Sequence, residues 1–229
     1  MTTWNPPAPG ALDDTAWPEQ LVGKAVLPRD DDDELHGYRV LDDLARHYGY
    51  SDVIYLAIVG ELPDERQSRL FQCAMCSFAT LSVIEAPGHV GVLARICGGT
   101  LASAVGAGAL AIADQTRQTL NHHGAVLTWL ASPTTDVPAE LTNEADASWV
   151  RTLREAAGDS HLVRPEMSRD AARIALLFEA GLHSREQIEA AIISSRMCGL
   201  LAETLAAGPA DLKLYPVKLP PFQYVEDEA

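Results

Sequence analysis

Leu35-His-Gly-Tyr-Arg-Val-Leu-Asp-Asp-Leu-Ala45, followed closely by Val53-Ile-Tyr-Leu-Ala-Ile-Val-Gly-Glu-Leu-Pro63, is the stretch that decides the fold. The first part reads as a glycine-containing turn and a short amphipathic helix. The second reads as an apolar helix closed by Gly60 and Pro63, because glycine accepts the left-handed conformation after a helix and proline cannot continue one. Outward from there the chain stays helical. Spacing predicts a long helix from Asp64 to about Val83, with Leu70, Ala74, Phe78 and Leu81 along one face, broken by Ala86-Pro-Gly88. An apolar segment dense in Ala and Gly runs from Val90 to about Ile112, where small side chains let helices approach closely. Pro133 to Leu141 reads as a loop. A short helix starts near Ser148, carries Trp149, Val150, Leu153 and Ala157 at helical spacing, and stops at Gly158. Ser168 to Ala180 is a further helix with Gly181 after it, and Arg185 to about Ala207 is the last. Alternating β-branched runs are almost absent, so the expected class is all-α. Residues 1 to about 20 and the proline-rich tail from Pro209 to Ala229 read as extended arms, and Arg29-Asp-Asp-Asp-Asp-Glu34 as a solvated acidic loop.

Composition limits the function classes. The 229 residues can bury one sizeable core or two modest ones, and 47% hydrophobic with 21% charged residues describes an ordinary globular protein. A net charge of −15 argues against nucleic-acid binding, which needs a basic face, but leaves room for an anionic ligand held by a few arginines. No apolar run approaches the roughly 18 uncharged residues that suggest a membrane span. The N-terminus shows no basic and apolar leader pattern, and with four cysteines this points to reduced thiols in the cytoplasm. Cys73 and Cys76 have CxxC spacing, yet they sit mid-helix with no second Cys or His pair in sequence, which reads as thiol packing; no metal is expected. Gly98-Gly99 and Gly106-Ala-Gly108 follow no strand, and no GxSxG or Walker-type loop is present.

Four places carry polar residues that need an explanation. His122 and His123 fall at a helix–loop–helix junction, where paired histidines are ordinarily exposed. His161 follows a helix stop, ordinarily a surface position. Asp170 lies in the first turn of its helix, where with Ser168 it can cap or complement the dipole. Arg196 is embedded in Ile192-Ile-Ser-Ser-Arg-Met-Cys-Gly-Leu-Leu201, so its guanidinium must snorkel outward or meet an anion. That anion is either a bound ligand or a side chain such as Asp170 or Glu203.

Together these elements resemble the citrate synthase family of helical acyl-CoA enzymes. Asp43-Leu44-Ala45 and the helix ending Gly60-Glu-Leu-Pro63 are similar to its glycine turn, "DLA" helix and "GELP" helix end. His122-His123-Gly124-Ala125 resembles its "HGGA" junction, whose histidine donates to the thioester carbonyl; the register allows either His122 or His123. A neutral donor aimed at an enolising oxygen lowers the barrier, and the helix starting near Ala125 helps keep it neutral. Gly158, His161 and Val163 match "GxGHxV", with Ser160 in place of the second glycine; the resemblance makes His161 the partner of the keto or hydroxyl group. Counting back from Gly181 places Asp170 on the family's α-carbon acid/base, although Ser168-Arg169 replaces the usual "NV". Ser195-Arg196 with Gly199 and Ala202 matches "SRxxGxxA" and makes Arg196 a substrate-carboxylate anchor.

Departures accompany the matches. The family's first active-site histidine falls in Val83-Ile-Glu85-Ala-Pro-Gly-His89, so Glu85 or Pro87 occupies its place and His89, the remaining candidate for substrate binding, lies nearby. Only Leu162 to Arg169 separate His161 from Asp170, where the family inserts small-domain helices. The second substrate arginine is missing, with only Lys213 and Lys218 in the tail. The resemblance covers most of residues 35–207. It implies an arm and acidic loop over 1–34, a large helical domain from 35–126 and 173–229, and a reduced small domain over 127–172. The implied activity makes or cleaves a carbon–carbon bond β to an acyl-CoA thioester, as citryl-CoA lyases do, on a small carboxylate, in a homodimer. The alternative is a degenerate member that serves as a ligand-binding or partner subunit.

Overall fold

The structure is a computed structural model that describes residues 22–132, 136–158 and 160–208. The expected N-terminal arm, residues 133–135 of the predicted loop, and the tail with Lys213 and Lys218 lie outside the described residues. The chain divides into two compact units, Met1–His47 and Tyr48–Ala229.

The fold is all-α as expected, with one very small sheet in the first unit. The sheet is antiparallel, with β1 (Val26–Leu27), β2 (Glu34–Leu35) and β3 (Tyr38–Arg39) in that order. Leu35 pairs with Tyr38, and the two residues between them, His36 and Gly37, have φ of 49° and 85°. Two consecutive positive φ values match the right-handed twist of a two-residue hairpin, so the expected glycine turn is a β-turn. The acidic run is also more than a solvated loop: Asp32 is 7% exposed and accepts from the N–H groups of Leu41 (3.0 Å) and Asp42 (3.1 Å). Those donors open a π-helical turn, Val40–Leu44, that runs into the three-residue α1 (Ala45–His47). The predicted amphipathic helix is this composite, and two-residue strands are too short to leave a periodic signal in sequence.

The second unit is helical. α2 (Tyr50–Val59) stops at Gly60, whose φ of 90° requires glycine. α3 (Glu65–Phe78) is opened by Asp64, which accepts from Gln67 N–H while the Gln67 side chain accepts from Asp64 N–H. It ends five residues before Val83, but Leu70, Ala74, Phe78 and Leu81 are all buried, the last from the segment beyond the helix. Pro87 lies in the first turn of α4 (Ala86–Ile96), where its missing N–H is no loss, so it starts a helix. The predicted apolar segment is two helices. Gly98 (φ 85°) ends α4's extension, and Thr100 caps α5 (Leu101–His122) by accepting from Ser103 N–H. α6 (Gly124–Ala131), α7 (Ala147–Ala157, closed by Gly158 at φ 70°), α8 (Arg169–Glu179, capped by Ser168) and α9 (Arg185–Ala206, capped by Ser184) follow. No helix among the described residues is long and apolar enough to cross a membrane.

The main core joins α2, α3, α6, α7, α8 and the start of α9, and six residues of α8 are fully inaccessible: Ala171, Ala172, Ile174, Ala175, Leu176 and Leu177. α9 packs at backbone distance on α3. Ser195 Oγ donates to the Met75 carbonyl one turn before Gly199, where an added Cβ would stand 2.6 Å from the Ala79 carbonyl oxygen. Alanine would gain about 1 kcal/mol of helix propensity there, but the obstructing atoms are backbone and cannot swing aside. Gly199→Ala is therefore expected to lower stability by ~1–3 kcal/mol, the usual cost of overpacking, read as a lower urea midpoint at unchanged slope.

Candidate active site

α8 presents Asp170, in its first turn, and Arg173, three residues on, from a helix whose following residues are enclosed by apolar neighbours. Their spacing of three places them on one face, and Arg173 Nη1 lies 3.3 Å from Asp170 Oδ1. The Arg173 guanidinium is stacked over Phe78 (5.2 Å to the ring centroid) and Trp149 (4.8 Å), which holds it in place without neutralising it. On the other side of Asp170, His123 Nε2 lies 3.7 Å from Oδ2. His123 sits at the start of α6, directly after α5, so the junction between two helices sets its reach. The His123 imidazole, followed by Arg173, holds the Asp170 carboxyl below the ordinary aspartate range, against the opposing effect of burial. Asp170 is thus ionised at neutral pH and still part-exposed, with 42% of its side chain accessible.

Across the cleft, Arg196 of α9 pairs with Glu85 and donates to Gln115 Oε1 at 3.1 Å. Burial pushes Glu85 up, but the bonds from Arg196 and Ser82 N–H outweigh it and leave the carboxyl below its usual value. The Arg196 side chain is only 13% exposed, as its apolar helix requires. Its partner is Glu85 rather than Asp170 or Glu203. Asp170, Arg173, Glu85 and Arg196 line one cleft of about 260 Å³ together with Gln115 and threonines 80, 116 and 119. Three buried polar atoms of its lining residues have no hydrogen-bond partner: Arg173 Nε, Arg196 Nε and Thr116 Oγ1. Buried donors are nearly always satisfied in a protein interior, and three of the five unpaired atoms among the described residues belong to this cleft.

The sequence candidates separate clearly. Asp170 and Arg196, 26 positions apart, share the cleft, and His123 touches Asp170. His122 is exposed and stacks edge-to-face on His123, with centroids 5.0 Å apart. His89 is exposed, one turn after Glu85 on α4, and does not line the cleft, whereas Glu85 does. His161 is also exposed and outside the lining; its backbone N–H donates to Glu179 at 2.8 Å. Arg173 was not among the expected site residues. Its three-residue spacing from Asp170 and its place in an otherwise apolar helix were the available signals.

Glu179, at the far end of α8, secures the segment after α7. Its carboxylate accepts from Ser160 Oγ and from the N–H groups of His161 and Leu162 (3.0 Å), and pairs with Arg66, while only 6% of it is exposed. Burial raises its pKa, but those four donors lower it further, so the net shift is downward. Ser160, where the family has glycine, supplies one donor and also accepts from Val163 N–H at 3.1 Å.

No family model and no curated protein matches the sequence. The fold, in contrast, has clear counterparts, and it is the citrate-synthase-like helical fold that the sequence resemblance implied. Citryl-CoA lyase from Hydrogenobacter thermophilus superposes with a TM-score of 0.60 at 17% identity, over 91% of this chain and 97% of that one. ATP citrate lyase from Methanothrix soehngenii, in complex with citrate and coenzyme A, gives 0.59 at 14% identity over 99% of this chain. A variant of the Methanosaeta concilii ATP citrate lyase in complex with (3S)-citryl-CoA gives 0.59 at 14% over 95%. This chain spans 47% and 44% of those two longer enzymes, but nearly the whole of the first.

The Glu179 shift has a defined consequence. A carboxyl whose pKa is lowered by folding stabilises the protein above the unfolded glutamate value, and that contribution disappears as pH falls through the folded one. Glu179→Gln is therefore expected to cost ~1–3 kcal/mol at pH 7, with the gap to the parent protein closing below the ordinary glutamate pKa of 4.5. Urea denaturation at a series of pH values checks this; a gap constant down to strong acid would show that the carboxylate's charge is not what matters.

Proposed function

We propose that the chain is a citryl-CoA-lyase-like enzyme that cleaves or makes a carbon–carbon bond β to a coenzyme A thioester. The observation that carries this reading is the meeting of Asp170, Arg173 and Arg196 in one cleft, with His123 against Asp170. Asp170 is the acid/base at the α-carbon. In the cleaving direction the bond between the α-carbon and the carbinol carbon breaks, and its electron pair passes into the thioester as an enolate. Asp170, ionised at rest, takes up a proton from solvent and delivers it to the α-carbon, which balances the carbinol proton released to His161 or to solvent. The carbinol oxygen loses its proton and becomes the carbonyl of the second product. In the synthetic direction ionised Asp170 removes the α-proton. His123 donates a hydrogen bond to the thioester oxygen, where negative charge gathers. Its register at the start of α6 favours it over His122 for this role.

Arg173 and Arg196 bind the carboxylate end of the acid product, and Arg173 stands in for the second arginine missing from the sequence pattern. Bidentate guanidinium–carboxylate pairing suits this task, and the stacking on Phe78 and Trp149 orients the fork in advance. His161 takes the carbinol proton only if its segment closes over the cleft, while Asp170 and His123 need no such movement. Residues 127–172 form the reduced small domain in this scheme. The enzyme works as a cytoplasmic homodimer on an acyl-CoA and a small carboxylate, without a metal. Sedimentation of a stable monomer would remove the dimer from this picture.

Two outcomes test the reading. Asp170→Asn is expected to keep the melting temperature within a few degrees while abolishing deuterium exchange at the α-carbon of acetyl-CoA, followed by NMR; unchanged exchange removes Asp170 from the chemistry. Arg173→Met is expected to weaken carboxylate binding by about tenfold to a hundredfold, in line with the ~1.5–3 kcal/mol of one charged hydrogen bond, by calorimetry with citrate. Binding of coenzyme A and citrate to the parent protein with no turnover in either direction would instead favour the ligand-binding alternative.

A further inference from the structure

The sequence contains two Met-Cys pairs, Met75-Cys76 and Met197-Cys198, and the fold brings them together. All four side chains line one apolar groove of about 610 Å³ bounded by α2, α3 and α9, outside the cleft described above. Two contacts fix how the carrying helices meet. Ser195 Oγ donates to the Met75 carbonyl, and Gly199 lies against Ala79. Residue 195 faces 75 and residue 199 faces 79, so α3 and α9 advance in the same direction and share one turn. Cys76 and Cys198 both belong to that turn, and both are exposed while Met75 and Met197 are half-buried. The groove's two serine hydroxyls are engaged elsewhere: Ser194 Oγ donates to the Ala190 carbonyl at 2.7 Å, and Ser195 to Met75 as above. The electron-pair donors on the groove walls then include four sulfurs, two thiols and two thioethers, beside the exposed Tyr50 hydroxyl, which is a hard donor.

Cys73 does not join them. Although it is three residues from Cys76, its Sγ lies 3.9 Å from the Leu153 carbonyl of α7 and it does not line the groove. Burial pushes its thiol pKa up, which disfavours the thiolate. Cys73 is therefore turned to α7, and the second thiol on the groove beside Cys76 is Cys198 of α9. Sequence spacing could not show this pairing.

We propose that the groove binds a soft, thiophilic monovalent cation of the Cu(I) class, held by Cys76 and Cys198 as thiolates with Met75 or Met197 as the neutral third donor. Thiolate and thioether donors select such ions over harder divalent ones, and two cysteines suit the low coordination numbers that these ions accept. Binding displaces the two thiol protons to solvent, so no oxidant or reductant takes part. This departs from the expectation of a metal-free chain, which considered only the sequence-adjacent pair, and it does not depend on the catalytic reading.

The test is Cu(I) titration of the reduced full-length protein against the chromogenic chelator bicinchoninate under anaerobic conditions. The expected result is one equivalent withdrawn from the chelator, with the ultraviolet charge-transfer band of copper–thiolate bonds. Cys76→Ser and Cys198→Ser should each abolish both signals, and Cys97→Ser should keep them. Met75→Leu and Met197→Leu, which conserve volume, should show weaker competition in at least one case. Zn(II) should not displace the bound ion. The proposal is overturned if Cu(I) is not withdrawn, if the serine variants retain it with unchanged helical circular dichroism, if Cys73→Ser removes it as fully as Cys76→Ser, or if a disulfide between Cys76 and Cys198 is the only chemistry these residues show.

Discussion

The enclosure of α8 is the constraint from which the rest of the structure follows. Six of its residues are withdrawn completely from solvent, so neither its rotation nor its axial position can change without exposing apolar surface. At roughly 25 cal/mol per Å² of buried apolar area, turning even two or three of these side chains outward would cost several kcal/mol, a large part of a domain's net stability. The helix thereby fixes three polar residues at once. Asp170 in its first turn and Arg173 three residues later enter the cleft, and Glu179 at its last residue receives the segment that follows α7. The site inherits its rigidity from the core, not from the loops that surround it.

A second constraint acts through absent side chains. Gly91 and Gly108 both lie against Leu200, where added Cβ atoms would come within 2.8 Å and 2.4 Å of Leu200 Cδ1. Gly199 removes the corresponding obstacle on the side facing α3. α9 is thus held between α4, α5 and α3 at separations that only small residues allow. This close seating carries Arg196 to Glu85 and Gln115, which come from three different stretches of sequence. It also places Cys198 and Cys76 on the walls of one groove. The Ala- and Gly-rich composition that marked this region in sequence is therefore a geometric requirement of two separate side-chain clusters.

Legibility in sequence followed the length over which each signal was averaged. α8 and α9 were readable to within a residue or two because capping serines, a long apolar period and a closing glycine all agreed. The sheet of the first unit was not, since strands of two residues present no alternation to detect. Pro87 was misread because proline breaks a helix from inside but starts one at its first turn, and the residues alone do not say which. For the cleft, register carried Asp170 and Arg196, and the choice between His122 and His123 depended on which side of α5's last residue faced α8. That is a packing fact. Glu85 posed the same problem: its role appears only once α4 and α9 are placed together.

The Glu85–Arg196 pair bears on what the cleft can accept. A guanidinium inside so apolar a helix needs a partner, because leaving it unpaired there would cost far more than the pair itself contributes. Glu85 meets that need, but it also occupies the charge that a ligand carboxylate would use. A second carboxylate about 4 Å from Glu85 would meet a repulsion on the order of 4 kcal/mol at an effective dielectric constant near 20, comparable to what Arg196 offers in return. Arg173 faces the same division, since Asp170 lies 3.3 Å from it. The two guanidinium groups are thus balanced by two carboxylates. The carboxylate binding proposed for Arg173 and Arg196 therefore calls for Glu85 to take up a proton or to release Arg196. The pairing of Glu85 with Arg196 thereby sets the electrostatic character of the site.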